Sequence, residues 1–187
     1  MKKSLSEVMC SVGGLAAVAG VLFFAGCSGS RSAADLPAAA ELDLDRYLGV
    51  WYEIARLPHR FERGLCRVSA EYRLNDAGDR ILVCNRGFRN GKLQEINGVA
   101  RFRDDGKANG ELEVSFFRPF YGAYRIIRLD PEYRHAVVTS TTRDYLWFLA
   151  RTPDVSEAEM QSFLRFAKES GFDTAKLEFP SVPPEKL

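Results

Sequence analysis

The sequence predicts an all-β domain of eight short antiparallel strands followed by one α-helix. Two observations predict the strands: apolar and polar residues alternate with a period of two, and only tight turns separate the alternating segments. A single amphipathic segment near the C-terminus predicts the helix. Strands joined in this way are typical of a sandwich or of an up-and-down barrel. A barrel of this size can hold one small ligand.

The strands follow at regular spacing. The second is the clearest, because Val68, Ala70, Tyr72 and Leu74 alternate with polar residues. Turn signals such as Asn90-Gly91 and Asp130-Pro131 separate the others, and Gly98 permits a bend in the fourth strand. Residues 58–65 are predicted to form a loop that could fold over the open mouth of a barrel. The predicted strands are one beginning at Gly49 and Trp51, then 68–74, 80–88, 93–102, 112–116, 123–129, 135–141 and 144–151.

One helix is predicted near the C-terminus. Ser156 and Glu159 have the spacing of a capping box at its beginning, and Gly171 marks its end. The apolar residues between them fall on one face, which predicts packing against the strands. Leu177 and Phe179 predict a short closing strand.

Residues 1–26 have the composition of a signal peptide, since two lysines precede an apolar run too short for a comfortable membrane span. The sequence Phe24-Ala25-Gly26-Cys27 resembles a bacterial lipobox, in which the cysteine is acylated and becomes the mature N-terminus. Residues 27–41 then predict a lipidated cysteine and a flexible tether. The alternative is a plain secretory signal with an incidental cysteine. The folded domain is expected over residues 42–180, followed by a tail over 181–187.

The charge balance argues against nucleic acid as a partner. Cleavage after Gly26 removes Lys2, Lys3 and Glu7 from 26 basic and 25 acidic side chains, which leaves a neutral chain without a long basic run. A protein that binds phosphate backbones concentrates positive charge. Attachment through a lipid on Cys27 needs no basic patch.

Two segments far apart in the chain carry a family resemblance. The first is Gly49-Val50-Trp51, and the second is an aromatic strand that ends in a lone arginine. Together they resemble the first, second and third motifs of the lipocalin family, matched by Gly49 and Trp51, by Thr142 to Tyr145 with Asp144, and by Arg151. Residues 56–64, 114–122 and 144–147 look most like the bacterial outer-membrane branch, to which apolipoprotein D and plant temperature-induced lipocalins are related.

The resemblance covers about residues 43–179 and implies an eight-stranded up-and-down lipocalin barrel with the C-terminal α-helix packed on its wall. It implies that Arg151 lies across Trp51 at the closed end in a cation–π contact. Because Arg151 is then inside, strand alternation predicts a ligand-binding wall formed by Tyr72, Val83, Phe116, Tyr145 and Trp147. Such a wall suits one acyl chain with its head group near the mouth. The alternative is that these side chains fill a solid core.

Reactive side chains are few. His59 and His135 have no partner at motif spacing and are expected at the surface or rim, and no metal, phosphate-loop or paired-carboxylate motif occurs. Cys66 and Cys84 fall about four residues out of register on neighbouring strands, too far for a disulfide unless a bulge intervenes. One lipocalin branch is a thiol-using isomerase with a cysteine inside the barrel, whereas Cys84 should face outward.

We therefore expect a carrier of a fatty acid or lysophospholipid, not an enzyme, without cofactor or metal. Acylated Cys27 would attach it to the outer membrane with the barrel facing the periplasm, because Ser28 is not the aspartate that favours retention in the inner membrane. A homodimer is left open. The rival hypotheses are a thiol isomerase and a structural envelope lipoprotein with a filled barrel.

Overall fold

The computed structural model describes residues 30–103 and 109–180. In these ranges eight strands form a closed barrel, with sequence neighbours antiparallel and β1 also paired with β8. The predicted up-and-down barrel is confirmed, and the sandwich is excluded. The strands are β1 Gly49–Arg56, β2 Cys66–Leu74, β3 Ile81–Arg89, β4 Lys92–Phe102, β5 Glu111–Phe117, β6 Phe120–Leu129, β7 His135–Thr139 and β8 Leu146–Ala150.

The connections alternate between the two ends of the barrel. The β1–β2, β3–β4, β5–β6 and β7–β8 connections lie at one end, which we call the open end, and the others lie at the closed end. A short helix that the sequence did not predict, α1 (Leu44–Tyr47), precedes β1 at the closed end. Asp43 begins it by accepting a hydrogen bond from the Arg46 N–H at 3.2 Å.

The strand boundaries differ from the prediction at the open end. β6 begins three residues earlier, at Phe120, and residues 140–145 form a loop between β7 and β8. Gly98 is required because a Cβ there would lie 2.6 Å from the carbonyl oxygen of Ser115. The predicted closing strand is reduced to one bridge, between Glu178 and Arg56.

The apolar core has two parts. One fills the closed end of the barrel around Trp51 and Val138. The other lies between the barrel wall and helix α2 (Glu157–Glu169), where the Phe163 ring stacks on Phe148 at 4.5 Å. The predicted capping box is present at the beginning of α2, and this helix is the wall-packed helix that the sequence indicated.

The segment expected to be a flexible tether is instead docked on the barrel over residues 30–40, which we call the N-terminal strap. Ala33 is fully buried, and its N–H donates to the carbonyl of Thr141 at 2.9 Å. The Arg125 guanidinium donates to the carbonyls of Ala33 and Leu36, each at 2.7 Å. Backbone hydrogen bonding fixes a segment that its composition, poor in large apolar residues, predicted to be loose.

The predicted signal peptide, the acylation site Cys27 and the tail over 181–187 lie outside the described residues. Among the residues that are described, no helix has the length and apolarity needed to cross a membrane.

Candidate ligand-binding site

Three motif residues meet at the closed end, where they form the floor of the barrel. The Arg151 guanidinium carbon lies 3.9 Å from the centre of the Trp51 ring, which confirms the predicted cation–π contact. The Trp51 indole N–H donates to the carbonyl of Tyr47 at 2.8 Å. Gly49 has a φ of 92°, and a Cβ there would lie 3.4 Å from Nη1 of Arg151. Glycine therefore both adopts this backbone angle and leaves room for the arginine.

Asp144, grouped with these residues from the sequence, lies at the opposite end in the β7–β8 loop. It is exposed and accepts hydrogen bonds from Ser30 and Thr142. The β6–β7 turn completes the floor instead, because Nε of Arg151 donates to the carbonyl of Tyr133 at 3.3 Å. The sequence identified that segment only as a turn, since its spacing does not show what lies across the barrel end.

A cavity of about 330 Å³ lies above the floor and opens between the β1–β2, β3–β4 and β5–β6 connections. All five predicted wall residues line it, so their inward orientation is confirmed, while their contact with a ligand stays a prediction. The wall is mostly apolar, with further side chains from Leu65, Val68, Ala70, Val114, Phe117 and Leu149. Its size is at the lower end of the range usual for small-molecule sites.

Three tyrosine hydroxyls form a chain between the cavity and the floor. The Tyr72 hydroxyl donates to that of Tyr124 at 2.9 Å, and the hydroxyls of Tyr124 and Tyr47 are 2.7 Å apart. Burial raises the pKa of Tyr72 to about 12 and those of Tyr47 and Tyr124 well above the usual value of 10.0. The phenols are therefore neutral, and the bottom of the cavity carries no charge for a ligand to match.

The open end contains a buried charged cluster that the sequence analysis missed. Nη1 of Arg56 lies 2.8 Å from Oε1 of Glu53, and both side chains are almost fully buried. Nη2 of Arg56 donates to the carbonyls of Glu62 and Leu65 at 3.0 and 3.1 Å. Arg56 thus holds the β1–β2 loop over the mouth. The sequence feature that could have revealed this cluster is the position of Glu53, two residues after the inward Trp51 and therefore on the same face of the strand.

His59, expected at the surface or rim, lies at the rim in the β1–β2 loop, but its side chain is turned inward and is largely buried. Its side chain is 9% exposed, and Nε2 lies 2.7 Å from Oε2 of Glu62, which also accepts a hydrogen bond from the Trp147 indole at 3.1 Å. Loop packing creates this partner, and spacing alone could not show that the loop folds inward. His135 is half-buried on the outer wall, 3.4 Å from Glu159 of α2.

Three buried polar atoms on the cavity lining have no hydrogen-bond partner among the described residues: Nδ1 of His59, Oδ1 of Asn85 and Nε of Arg89. Since an unpaired buried polar atom is costly, these atoms offer positions for a polar ligand group or water.

The two mouth carboxyls differ in their proton affinity. Burial raises the pKa of Glu53 well above 4.5, and the nearby charge of Glu62 raises it further against the attraction of Arg56. Burial acts on Glu62 in the same direction, but the hydrogen bond from His59 and the charges of His59 and Arg56 outweigh it and lower its pKa. Glu62 therefore has a lower pKa than Glu53 and ionises at a lower pH.

The cysteines lie away from the cavity lining. Cys84 lies between Val83 and Asn85, which face inward, and burial raises the pKa of its outward-facing thiol. Cys66 pairs across the strands with Phe88, which confirms the predicted offset of four residues from Cys84, and its Sγ donates to the Phe88 carbonyl at 3.3 Å. Cys66 and Cys84 are not bridged to each other. Within 30–103 and 109–180, no group of three or more His, Cys, Asp or Glu side chains could hold a metal ion.

Sequence comparisons agree with this geometry. The profile of the Lipocalin-like domain family matches residues 42–182. Outer membrane lipoprotein Blc of Escherichia coli K12 is 43% identical over 171 residues, which cover 90% of this chain and 96% of that protein. The Blc protein of Vibrio cholerae is 48% identical over 142 residues, covering 74% and 81%. Temperature-induced lipocalin-1 of Arabidopsis thaliana is 36% identical over 155 residues, covering 77% and 83%.

Solved structures show the same fold at low sequence identity. Insecticyanin of the tobacco hornworm Manduca sexta has a TM-score of 0.64 at 17% identity, over 89% of this chain and 91% of that one. Apocrustacyanin A1 of lobster has a TM-score of 0.63 at 16% identity, over 76% and 81%. With its closed barrel, its arginine-covered tryptophan floor and these relatives, the chain belongs to the lipocalin family.

Proposed function

We propose that this protein is a lipid carrier that holds one fatty acid or lysophospholipid in the barrel cavity and catalyses no reaction. The observation that carries the proposal is the cavity itself, which has about 330 Å³, a mostly apolar wall and one open end. An acyl chain would lie against Phe116, Phe117 and Leu149 and lose its contact with water. The bottom of the cavity, where the tyrosine phenols are neutral, suits the terminal methyl end of such a chain.

The head group would lie at the open end. There the polar atoms of His59, Glu62 and Trp147 are within one cluster, and Nδ1 of His59 lacks a partner among the described residues. A few fixed polar groups at one end of an apolar cavity orient a ligand without requiring a charge along its length.

The outer membrane is the proposed location, with acylated Cys27 as the anchor and the barrel facing the periplasm. The lipobox-like sequence supports this, as do the relatives from E. coli and V. cholerae that are named outer membrane lipoproteins. No partner protein is required for this role, and a homodimer remains a hypothesis for native mass spectrometry.

A fluorescence titration of the full-length Cys27→Ser protein tests binding in solution. Trp147 lines the cavity, so oleate or lysophosphatidylethanolamine entering beside it should shift its emission and saturate at one ligand per barrel. Trp51 is fully buried at the floor and should respond less. Trp147→Phe should remove most of the signal, and competition with a fluorescent fatty acid should show that affinity is largely kept.

Filling the cavity is the sharper test. Ala70 lines the cavity on β2, so Ala70→Trp should block the acyl chain and weaken binding at least tenfold in a protein that still melts cooperatively. Arg73→Trp, exposed on the opposite face of β2, is the matched control and should bind normally. Unchanged binding by a folded Ala70→Trp protein would place the ligand outside the barrel.

The two rivals have less support. The open cavity argues against a filled structural barrel, and lipid-free protein with no uptake of added lipid would restore that hypothesis. The outward thiol of Cys84 argues against an isomerase that uses a cysteine inside the barrel. Cys84→Ser should therefore leave lipid binding unchanged.

A further inference from the structure

The open end gathers basic residues that the sequence scatters along the chain. We call five of them the basic rim: Arg60, Arg63, Arg89, Lys92 and Arg118. They belong to the β1–β2, β3–β4 and β5–β6 connections or the strand ends beside them. Four are exposed, and Arg89 is half-buried. The rim therefore presents positive charge around the cavity mouth.

Acidic side chains near the rim already have other partners. Glu62 binds His59, Glu95 binds Arg86, Asp35 binds Arg143, and Asp144 accepts from Ser30. Among the described residues, the closed end carries nearly equal numbers of acidic and basic side chains in its turns and around α1: Asp43, Asp45, Asp76, Asp79, Asp130 and Glu132 beside Arg46, Arg80, Arg103, Arg134 and Arg151. The described part of the chain thus has a positive open end and a closed end where the charges nearly balance.

The most exposed large apolar side chains lie at the same end. Leu93 is 54% exposed, Phe120 50% and Phe179 55%. Leu93 and Phe120 adjoin the hairpins of the rim, and Phe179 follows the residue that bridges to Arg56 at the end of β1. Apolar side chains next to basic ones at one end of a protein are typical of a surface that enters a membrane interface.

The N-terminal strap begins at this end as well. Ser32 forms a bridge with Thr142 of the β7–β8 loop, and the Arg143 N–H donates to the carbonyl of Arg31 at 2.8 Å. Cys27 precedes Ser30 by three residues, a span of at most about 10 Å of extended chain. Because the docked strap fixes where the chain leaves the barrel, an acyl group on Cys27 would emerge beside the cavity mouth.

We propose that the open end of the barrel lies against the anionic phospholipid surface of the membrane that anchors the chain. This inference rests on the proposed lipid-carrier function and adds an interaction surface to it. The basic rim contacts acidic head groups, and Leu93, Phe120 and Phe179 enter the interface. The ligand then passes between the bilayer and the cavity without crossing bulk water.

The first test measures orientation with the lipidated full-length protein in vesicles of phosphatidylethanolamine and phosphatidylglycerol that carry brominated acyl chains. Leu93→Trp should add emission that the bromine quenches, because Leu93 is 54% exposed and does not line the cavity. Asp76→Trp, in the exposed β2–β3 turn at the closed end, is the control and should add emission that is not quenched. The parent protein is subtracted, because a brominated ligand in the cavity would quench Trp147. Equal quenching of both variants, or quenching of Asp76→Trp alone, overturns the proposal.

The second test changes the charge of the rim. Arg63 and Lys92 are exposed and do not line the cavity, so the double variant Arg63→Glu with Lys92→Glu should keep its affinity for lysophosphatidylethanolamine in solution. Its uptake of a fluorescent lysophosphatidylethanolamine from phosphatidylglycerol vesicles should slow about fivefold or more, since each basic residue near an anionic surface contributes about that factor. High salt or pure phosphatidylcholine vesicles should remove the difference.

The matched control is Arg73→Glu with Arg80→Glu, two exposed residues of β2 and its closed-end turn, which should take up lipid at the parent rate. Equal slowing of both double variants, or of neither, contradicts membrane docking by the rim. If the parent protein does not bind lipid in solution at all, the carrier function itself fails. If the parent protein binds lipid in solution but the rim substitutions do not change uptake from vesicles, only the proposed orientation is overturned. That result would direct attention to a soluble acceptor protein.

Discussion

Arg151 closes the barrel through contacts with two segments that are distant from each other in sequence, β1 and the β6–β7 turn. It covers the Trp51 ring, donates to the carbonyl of Val50 at 2.9 Å and reaches the carbonyl of Tyr133 in the β6–β7 turn. The cation–π contact alone contributes about 0.5–2 kcal/mol. The carbonyls of Val50 and Tyr133 accept further hydrogen bonds from the same guanidinium.

Alanine substitutions at Trp51 and Arg151 test this floor. Trp51→Ala should lower the free energy of unfolding by about 3–5 kcal/mol, because a fully buried ring leaves a cavity. Urea titrations of the two single variants and the double variant should show a coupling of about 1 kcal/mol or more. Additive losses would mean that the ring and the guanidinium do not interact.

The mouth carboxyls give opposite pH dependences. Because the pKa of Glu53 is raised above its unfolded value near 4.5, its contribution to stability is complete below that pH and is lost as the pH rises through the folded pKa. Glu53→Gln can still accept a hydrogen bond from Arg56 but cannot ionise. Its stability relative to the parent should therefore rise with pH above about 4.5, by about 1.4 kcal/mol per unit of pKa shift.

Denaturant titrations across the pH range check this, with Glu62→Gln as the contrast. The pKa of Glu62 is lowered, so its contribution is present above pH 4.5 and is lost as the pH falls through the folded pKa. Glu62→Gln should accordingly lose stability relative to the parent at neutral pH. Parallel pH profiles for the two variants would contradict the assigned difference between the carboxyls.

At the scale of elements, buried Arg125 supports the N-terminal strap, in addition to the Asp35–Arg143 ion pair and the backbone hydrogen bonds. Arg125 of β6 donates to the carbonyls of Ala33 and Leu36 and to the carboxylate of Glu111 at 2.8 Å. Gly110 permits the close approach, because a Cβ there would lie 2.9 Å from the backbone nitrogen of Ala39. The strap itself has few large apolar side chains that could pack on the barrel, so these polar contacts matter for its docking.

Arg125→Ala should release the strap while the barrel stays folded. The lost charge-assisted hydrogen bonds leave buried carbonyls unpaired, and the free energy of unfolding should fall by about 1–3 kcal/mol. Hydrogen exchange should accelerate at the amides of residues 33–39 and remain slow in β3. The control is Arg128→Ala, an exposed arginine of the same strand that binds Ser162 of α2. Protected strap amides in Arg125→Ala would show that other contacts hold the strap.

At the scale of the whole molecule, attachment and binding are separable. Cys27→Ser should move the protein from the membrane fraction to the soluble periplasmic fraction without changing its affinity for lysophosphatidylethanolamine, because residues 53–149 supply the described lining of the cavity. Cell fractionation followed by a titration of the purified protein measures both. Cys84→Ser is the control and should stay with the membrane. A Cys27→Ser protein that remains membrane-bound would refute the lipobox interpretation.

The sequence by itself determined the strand count and the capped helix, because strand alternation and helix capping are local properties. The inward facing of Tyr72, Val83 and Trp147 also needed the resemblance, which placed Arg151 inside and so decided which face of each strand is inward. The resemblance supplied barrel closure and the contact between Arg151 and Trp51. Only the tertiary structure decided what depends on contacts between distant segments. The buried partners of Arg56, the inward fold of the mouth loop, the docked strap and the gathering of positive charge at one end are of this kind. Each joins residues from different connections, and no spacing along the chain encodes which connections meet.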